Sequence, residues 1–489
     1  MTRLRSIKSR TLAGAAIALA LLSGPASAET LREALVKAYR TNPTMTGDRA
    51  RQRAEDENVP LARAEGLPSA SLQGDYTEVL IKPSNSFNSP TRSAQGTAQL
   101  QVPIYRGGGV KNAIRAADRR VEAGRAFLRG TESSVFSGVV GAYMDVMRDE
   151  AVAQLNQANV GVLEVNLQAT QDRFEVGDLT RTDIAQSEAR LSDARSRLEV
   201  AQANLIRSKE RYIQFVGTAP GTLEPPPPLP NLPTTPETAV DVALTNNPDL
   251  LAAAKQRDAA RYDVRVARAS RLPRVTAVSG GSYENYLGTL GSDVPGVPIQ
   301  QNTTSASVGV QATIPIYQGG APPAQVRQAQ ARESQAIEQQ IEVERDVIAQ
   351  TRASFASWRA ALDVITSAQS AVSANTLSLE GVRAENSVGT RTILDILNAE
   401  QELLNSQVLL VTARRDAYVA GFTLLAAMGQ AESQDLGLDG GPLYDPTVNY
   451  KEARRNIGDW DSAPTPAPVA TRTVDTPAQN SSVTALPKN

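Results

Sequence analysis

The sequence predicts an α+β fold in which one unit is used twice, each unit carrying two amphipathic strands and a very long helical hairpin. Three observations predict it. The first is an internal repeat: ALVKAYRTNP at 34–43 aligns with AVDVALTNNP at 239–248, and Ala62 to Pro68 with Ala267 to Pro273, at an offset of about 205. VPIYRGG at 102–108 then matches IPIYQGG at 314–320 at an offset of about 212, which holds through VGDLTRTD at 176–183 and VGTRTILD at 388–395. The second is strict alternation of apolar and polar residues just before each GG pair, the signature of a strand with two unlike faces. The third is the lack of Pro between Ile104 and Ala219, and between Ala324 and Gly441, stretches in which apolar residues recur at helical spacing.

The elements follow in order. MTRLRSIKSRTLAGAAIALALLSGPASA has a basic start, an apolar run and small residues before Glu29, so residues 1–28 read as a secretory signal peptide cleaved after Ala28. The first repeat occupies 29–234 and opens with a helix from about Pro43 to Leu67. Strands follow in SASLQGDYTEVLI and GTAQLQVPIY, where Ala98, Leu100, Val102 and Ile104 alternate with polar neighbours. A helix from about 110 to 175 is then about 100 Å long at 1.5 Å per residue. At VGDLTRTD the chain reverses: Gly177 suits a left-handed C-terminal position and Thr180-x-x-Asp183 reads as a capping box. The returning helix, 182–216, carries Ile184, Leu191, Leu198, Leu205 and Tyr212 one heptad apart, with Ala194, Ala201 and Ser208 between them. Alternating large and small residues suit a coiled coil, and the same pattern is compatible with an amphipathic helix in an ordinary bundle.

The second repeat, 235–433, has the same plan: a helix from Pro248 to about Leu272, a strand over 305–316, and a return over 392–429 after the turn at Gly389, with Thr392-x-x-Asp395 as its capping box. Its seven extra residues fall between about 285 and 305, in a Gly and Pro-rich stretch that reads as a longer loop. Helix lengths suggest that 182–216 and 248–272 lie end to end beside the first long helix, with the linker 217–236 at mid-height. The helix 43–67 would pair likewise with 392–429. Residues 434–461 read as a segment packed around mid-height, and 462–489, rich in Pro, Ala and Thr, as a disordered tail.

Composition narrows the function. Removing the signal takes away four basic residues, leaving 46 basic against 52 acidic side chains, so no nucleic-acid partner is expected. The chain has no Cys and no His, which excludes disulfides, a lipoprotein anchor, ordinary zinc sites and His-dependent hydrolases. No enzyme motif, cofactor or metal site is read from it. Beyond the signal no run of about 18 apolar residues occurs, so a membrane crossing would be made by strands. Four strands cannot close a barrel and an open edge in lipid leaves backbone groups unsatisfied, so several copies would share one: two would fill its interior, three would leave a pore. The non-channel reading is a periplasmic coiled-coil scaffold or adhesin.

Taken in order, and mostly twice, the repeated Asn-Pro segment, PIYxGG, the VGxxxxxD break and LYDPTVNY at 443–450 resemble the TolC-type outer-membrane channels of Gram-negative efflux and type I secretion systems. The resemblance covers nearly all of the mature chain. It implies a homotrimer in outer-membrane lipid, with a twelve-stranded barrel continued by a long periplasmic α-helical coiled-coil barrel. The lower end is gated and docks to a periplasmic adaptor, or membrane fusion, protein, linked to an inner-membrane ABC or resistance-nodulation-division transporter. The tip turns Val176, Gly177, Val388, Gly389 and Thr390 match the docking end, and Thr182, Asp183 and Arg391 match the polar links that close the tunnel. Asn386 stands where the family has a tyrosine partner, which weakens that link. Asp395 matches the first of two acidic entrance positions, while the second is Asn398, so one ring of carboxylates and a reduced cation preference are expected. Both aspartates are also explained as helix caps. The missing lipid anchor leans toward the secretion or versatile type.

Overall fold

The computed structural model describes residues 28–81, 89–291, 296, 298–438 and 443–482. Most of the predicted signal, part of the longer loop and the end of the tail therefore lie outside the described residues. The first repeat contains α1 (Leu31–Thr41), α2 (Pro43–Asp56), α3 (Asn58–Ala64), β1 (Ser69–Glu78), β2 (Arg92–Arg106), α4 (Gly109–Glu175) and α5 (Arg181–Val216). The second contains α6 (Pro236–Asn246), α7 (Pro248–Ala269), β3 (Arg274–Asn285), β4 (Asn302–Thr313), α8 (Ala321–Ser387) and α9 (Ile393–Ala427), and α10 (Pro446–Ala453) follows.

Two expectations need local correction. The helix expected over 43–67 is broken at Glu57. Pro60 has no N–H to give the carbonyl of Asp56, and its ring crowds that carbonyl, so α2 stops at Asp56 and α3 starts at Asn58. The strand expected over 305–316 runs instead from Asn302 to Thr313. Its partner β3 begins at Arg274, opposite Thr313, so Ile314 to Tyr317 have nothing to pair with in this chain. Ile316 is 96% exposed as a result.

The strands form one antiparallel sheet in sequence order, β1-β2-β3-β4. The register keeps the two faces separate. Ala70, Leu100, Ser279 and Val308 form one transverse row, and Leu72, Ala98, Gly281 and Ala306 the next on the same face. The opposite face carries rows such as Gln73, Thr97, Ser282 and Ser305, and Asp75, Gln95, Glu284 and Thr303. One face is thus apolar or small and the other polar, and both are exposed along β1 and β4 and half-buried along most of β3 in the single chain.

At the far side of the GG joints stand α4 and α8, each of 67 residues and so about 100 Å long. The seam of α5 is as the heptads predict from Leu191 on: Leu191, Ala194, Leu198, Ala201, Leu205, Ser208 and Tyr212 are all buried against α4, while Ile184, the first of the heptad positions, is only half-buried. In α9 the seam differs. Its heptad reads Ile396, Leu403 and Leu410 with Ala399, Ser406 and Ala413 between them; Ile396, Ser406 and Ala413 are buried, but Leu403, Leu410 and Ala399 are only half-buried, while Leu397, Glu400 and Leu404 beside them are buried. The reason is that α9 faces two neighbours, α8 and the first hairpin, and Leu397 packs among Val160, Leu163, Leu191 and Leu198.

The end-to-end pairing is the reverse of the expected one. Asn42 accepts the N–H groups of Thr44 and Met45 as the N-cap of α2, and its Nδ2 donates to the carbonyl of Phe215 at the end of α5 (2.9 Å). Asn247 repeats this: it caps α7 through Asp249 and Leu250, and its Nδ2 donates to the carbonyl of Ala427 at the end of α9 (2.9 Å). So α5 abuts α2, and α9 abuts α7. Each Asn satisfies donors at the start of one helix and an orphan carbonyl at the end of another. Helix lengths fit either pairing, and only these side-chain bonds distinguish them.

The largest core lies at this mid-height junction, where Phe136, Tyr143, Leu205, Tyr212, Phe422 and Leu425 are buried together. The Tyr143 hydroxyl is shared between the carbonyls of Glu29 (2.8 Å) and Glu224 (2.6 Å), tying the segment just before α1 to the linker. Burial raises the Tyr143 pKa, so the phenol stays protonated and a donor. Packing on α2 and α4, α10 adds bonds from Asn449 to Asp56 (2.9 Å) and from Tyr450 to Asp118 (2.7 Å). The tail expected to be disordered has no helix or strand over 462–482, yet it touches α5: Lys209 donates to the carbonyls of Asn480 and Ser482, both at 3.2 Å.

Candidate functional site

The hairpin tips lie a full α4 or α8 length from the sheet. Both turns are built from the same bonds. After α4, the N–H of Gly177 donates to Phe174 (2.9 Å) and that of Asp178 to Arg173 (2.9 Å); after α8, Gly389 donates to Asn386 (2.9 Å) and Thr390 to Glu385 (3.0 Å). This crossed pair of bonds needs a left-handed residue, and Gly177 (φ 83°) and Gly389 (φ 81°) supply it. The next helix then starts at once. Asp183 accepts from the backbone N–H (2.8 Å) and the hydroxyl (2.7 Å) of Thr180, and Asp395 accepts likewise from Thr392 (3.0 and 2.8 Å). These bonds to the ionised form, the backbone one foremost, hold both carboxyls below the ordinary aspartate value.

An ion pair crosses each turn, with opposite polarity. In the first hairpin Arg173 reaches Asp178 (2.6 Å), and in the second Arg391 reaches Glu385 (2.7 Å). The sequence reading missed Arg173 and Glu385. They are equivalent positions at the 212 offset with opposite charge, which was the available signal. Asn386 and Arg391 are indeed brought together, but through the backbone: Asn386 Nδ2 donates to the Arg391 carbonyl (2.7 Å). Arg391 and Asp183 are not brought together within one chain, since each is used in its own turn. Thr182 is exposed on the first turn of α5. Asn398 accepts from Arg190 of α5 (2.7 Å), so it binds the neighbouring hairpin. Val176 and Val388, expected at the docking end, project into solvent at 81% and 73% exposure, the apolar ends of an otherwise polar tip.

A sheet with one apolar and one polar face, set at the end of two helical hairpins about 100 Å long, defines an outer-membrane channel-tunnel protein. The chain belongs to the outer membrane efflux protein family, whose model matches residues 34–218 and 239–430. It is 34% identical over 451 residues to the outer membrane efflux protein BepC of Brucella suis biovar 1, covering 91% of this chain and 95% of that one. It is 28% identical over 478 residues to the outer membrane protein TolC of Escherichia coli, with 94% and 95% covered. Among solved structures, the outer membrane channel CmeC of Campylobacter jejuni superposes with a TM-score of 0.72 at 16% identity, over 88% of this chain and 90% of that one, which shows the shared fold. The protein is thus an outer-membrane channel of the efflux and type I secretion class.

Proposed function

We propose that three copies close one twelve-stranded barrel in the outer membrane and continue it as a periplasmic tunnel, the exit duct of a tripartite export machine. The supporting observation is the four-stranded two-faced sheet with open edges at β1 and β4. An unpaired edge is not tolerated in hydrocarbon, and three copies remove all edges while leaving room for a pore. The Ile314 to Tyr317 segment would then find its partner in the β1 side of the next copy. The long helix α8 supports the same reading. Only Pro322, Val326, Val347, Thr351, Ser354, Phe355, Ala368 and Leu379 are buried along it, far fewer than along α4, which leaves a face for a neighbouring copy. In this reading the tip turns meet a periplasmic adaptor, itself joined to an ABC or resistance-nodulation-division transporter. The described residues of 434–461 form the mid-height belt.

Arg391 is the latch in this proposal. Within one chain it pairs with Glu385, and in the closed trimer it faces Asp183 of the adjacent copy, a competition that an adaptor can shift. Purified protein is expected to run as a heat-modifiable trimer and to conduct weakly in planar bilayers, with Arg391→Glu raising conductance several-fold. A monomer on gels, or a variant with wild-type conductance, contradicts the reading.

Asp395 would form the entrance ring. Replacing it with Ala is expected to weaken cation preference, seen as a reversal potential closer to zero in a salt gradient. Because Thr392 holds its carboxyl below the ordinary aspartate value, the wild-type preference should be fully present at neutral pH and fall only as pH drops into the carboxylate range. The cap's stabilisation has the same sign: present above the unfolded pKa, it is lost as pH falls through the lower folded one. A reversal potential that drifts toward zero by pH 5 rules this assignment out.

A further inference from the structure

The joint between β2 and α4 sets an aromatic edge of the sheet beside a cluster of positive charge. The β2–β3 register slips by one residue between Pro103, opposite Thr276, and Tyr105, opposite Val275, so Ile104 is an extra residue in β2. The slip returns Tyr105 to the apolar face, in its last row with Val275 and Ala312. At this end of the strand lies a cavity of about 540 Å³, lined by Ile104, Tyr105, Val110 and Ile114 and by the cations Lys111, Arg115 and Arg454. Lys111 and Arg115 are exposed, one turn apart on one face of α4, and among the described residues neither forms an ion pair. Arg115 only approaches the ring of Tyr262, at 5.9 Å. The other charges at the cavity are engaged. Arg106 donates to the carbonyl of Glu65 (2.7 Å) and lies 3.7 Å from its carboxylate, Asp118 accepts from Tyr450 (2.7 Å), and Arg454 donates to the same hydroxyl (3.0 Å). Around the joint, residues 63–66, 106–117 and 268–274 together hold seven Lys or Arg side chains against one carboxylate, Glu65.

We propose that this joint binds an anionic phospholipid of the leaflet facing the helices, with Lys111 and Arg115 on its phosphate and its acyl chains against Tyr105 and the apolar neighbours. The proposal rests on the outer-membrane channel reading above. Continuity supports it: the cavity begins where the apolar face ends, so a ligand there has its hydrocarbon beside the sheet and its charge beside α4. Depth agrees. Arg115 lies about 6 Å beyond Lys111 along α4, and the polar headgroup layer is about 5–8 Å deep, so both cations reach one layer. As an inner strand, β2 pairs with β1 and β3 of its own chain, which keeps the site away from the sheet edges where copies would join. The equivalent joint of the second repeat keeps Tyr317 and Arg327 but has Gln318 for Arg106 and Pro323 for Lys111. The fold of a joint therefore does not need the cluster, and the proposed three-copy barrel would carry three such sites, not six.

The test is native mass spectrometry of the solubilised trimer with dioleoyl phosphatidylglycerol, dioleoyl phosphatidylcholine or inorganic phosphate added. Wild type is expected to retain up to three phosphatidylglycerol molecules per trimer and to prefer that lipid over phosphatidylcholine about thirtyfold, the summed effect of two basic groups at an anionic headgroup. Lys111→Gln combined with Arg115→Gln should bring phosphatidylglycerol down to the phosphatidylcholine level, while Arg327→Gln at the second joint binds as wild type does. If the double variant does not assemble, the wild-type preference alone still decides: it should shrink several-fold from about 0.1 M to about 1 M ammonium acetate as the charges are screened. Equal binding of the two lipids, a preference that ignores salt, or one that survives in the assembled double variant overturns the site and leaves the channel intact. Displacement of phosphatidylglycerol by an equal concentration of inorganic phosphate means that the site takes a free oxyanion, and overturns the lipid assignment. A wild type that forms no trimer in outer-membrane fractions overturns the channel reading instead.

Discussion

Val308→Arg is expected to abolish stable insertion. Val308 sits near the middle of β4, 86% exposed in the single chain, in a transverse row with Ala70, Leu100 and Ser279 on the apolar face. In the proposed three-copy barrel this face meets lipid. An Arg at the bilayer midplane of a strand costs about 2–4 kcal/mol, and the substitution occurs once in each copy, so the assembly bears it three times over. Ser307→Arg is the control, because its neighbour Gly280 and their row belong to the polar face, where a charge meets water. Outer-membrane fractions should contain heat-modifiable trimer for wild type and Ser307→Arg, and little or none for Val308→Arg. Equal amounts for both would mean that the faces are assigned the wrong way round.

Gly429→Ala should be nearly as damaging, for reasons of close approach. Gly429 follows α9 with φ 69°, and a Cβ there would lie 2.5 Å from the carbonyl oxygen of Asn246 and 2.9 Å from the nitrogen of Asn247. The left-handed backbone alone disfavours Ala by about 1–2 kcal/mol. The overlap adds about 1–3 kcal/mol more, because the atoms met are backbone and cannot rotate away. Moving them displaces Asn247, whose side chain holds both α7 and the end of α9. Gly437→Ala separates the two contributions: its φ is 60°, but a Cβ there meets nothing within 4 Å. Thermal unfolding of the detergent-solubilised protein should show a clearly larger loss for Gly429→Ala. Equal losses would mean that the α9–α7 contact is not tight.

The long helices, the alternating strands and the capping boxes were legible because each depends on neighbours close in sequence. Proline-free length, period two, and Thr three residues before Asp are local signals. The misses share another cause. Periodicity tells that a face is buried but not what covers it, so helix lengths alone suggested the wrong end-to-end partners. The covering element was decided by Asn42 and Asn247, whose role as links across the junction cannot be inferred from a motif that also reads as a plain helix start. The same limit hid Glu400. In a heptad count it is an unremarked polar position between leucines, and only the approach of the first hairpin turns it inward. Pro60 was a local signal passed over. At the tip, the turn residues were readable, while the partners Arg173 and Glu385 required comparing the two copies position by position.

The pairing of α5 with α2 and of α9 with α7 has an architectural consequence. Each repeat ends against its own beginning, so it closes on itself before the chain moves on to the next. In the proposed ring of three copies this gives a circle of six nearly equivalent modules, with every second joint covalent. The two kinds of module differ at the reversed ion pairs of their turns, so the proposed threefold assembly would carry two unlike sets of tips.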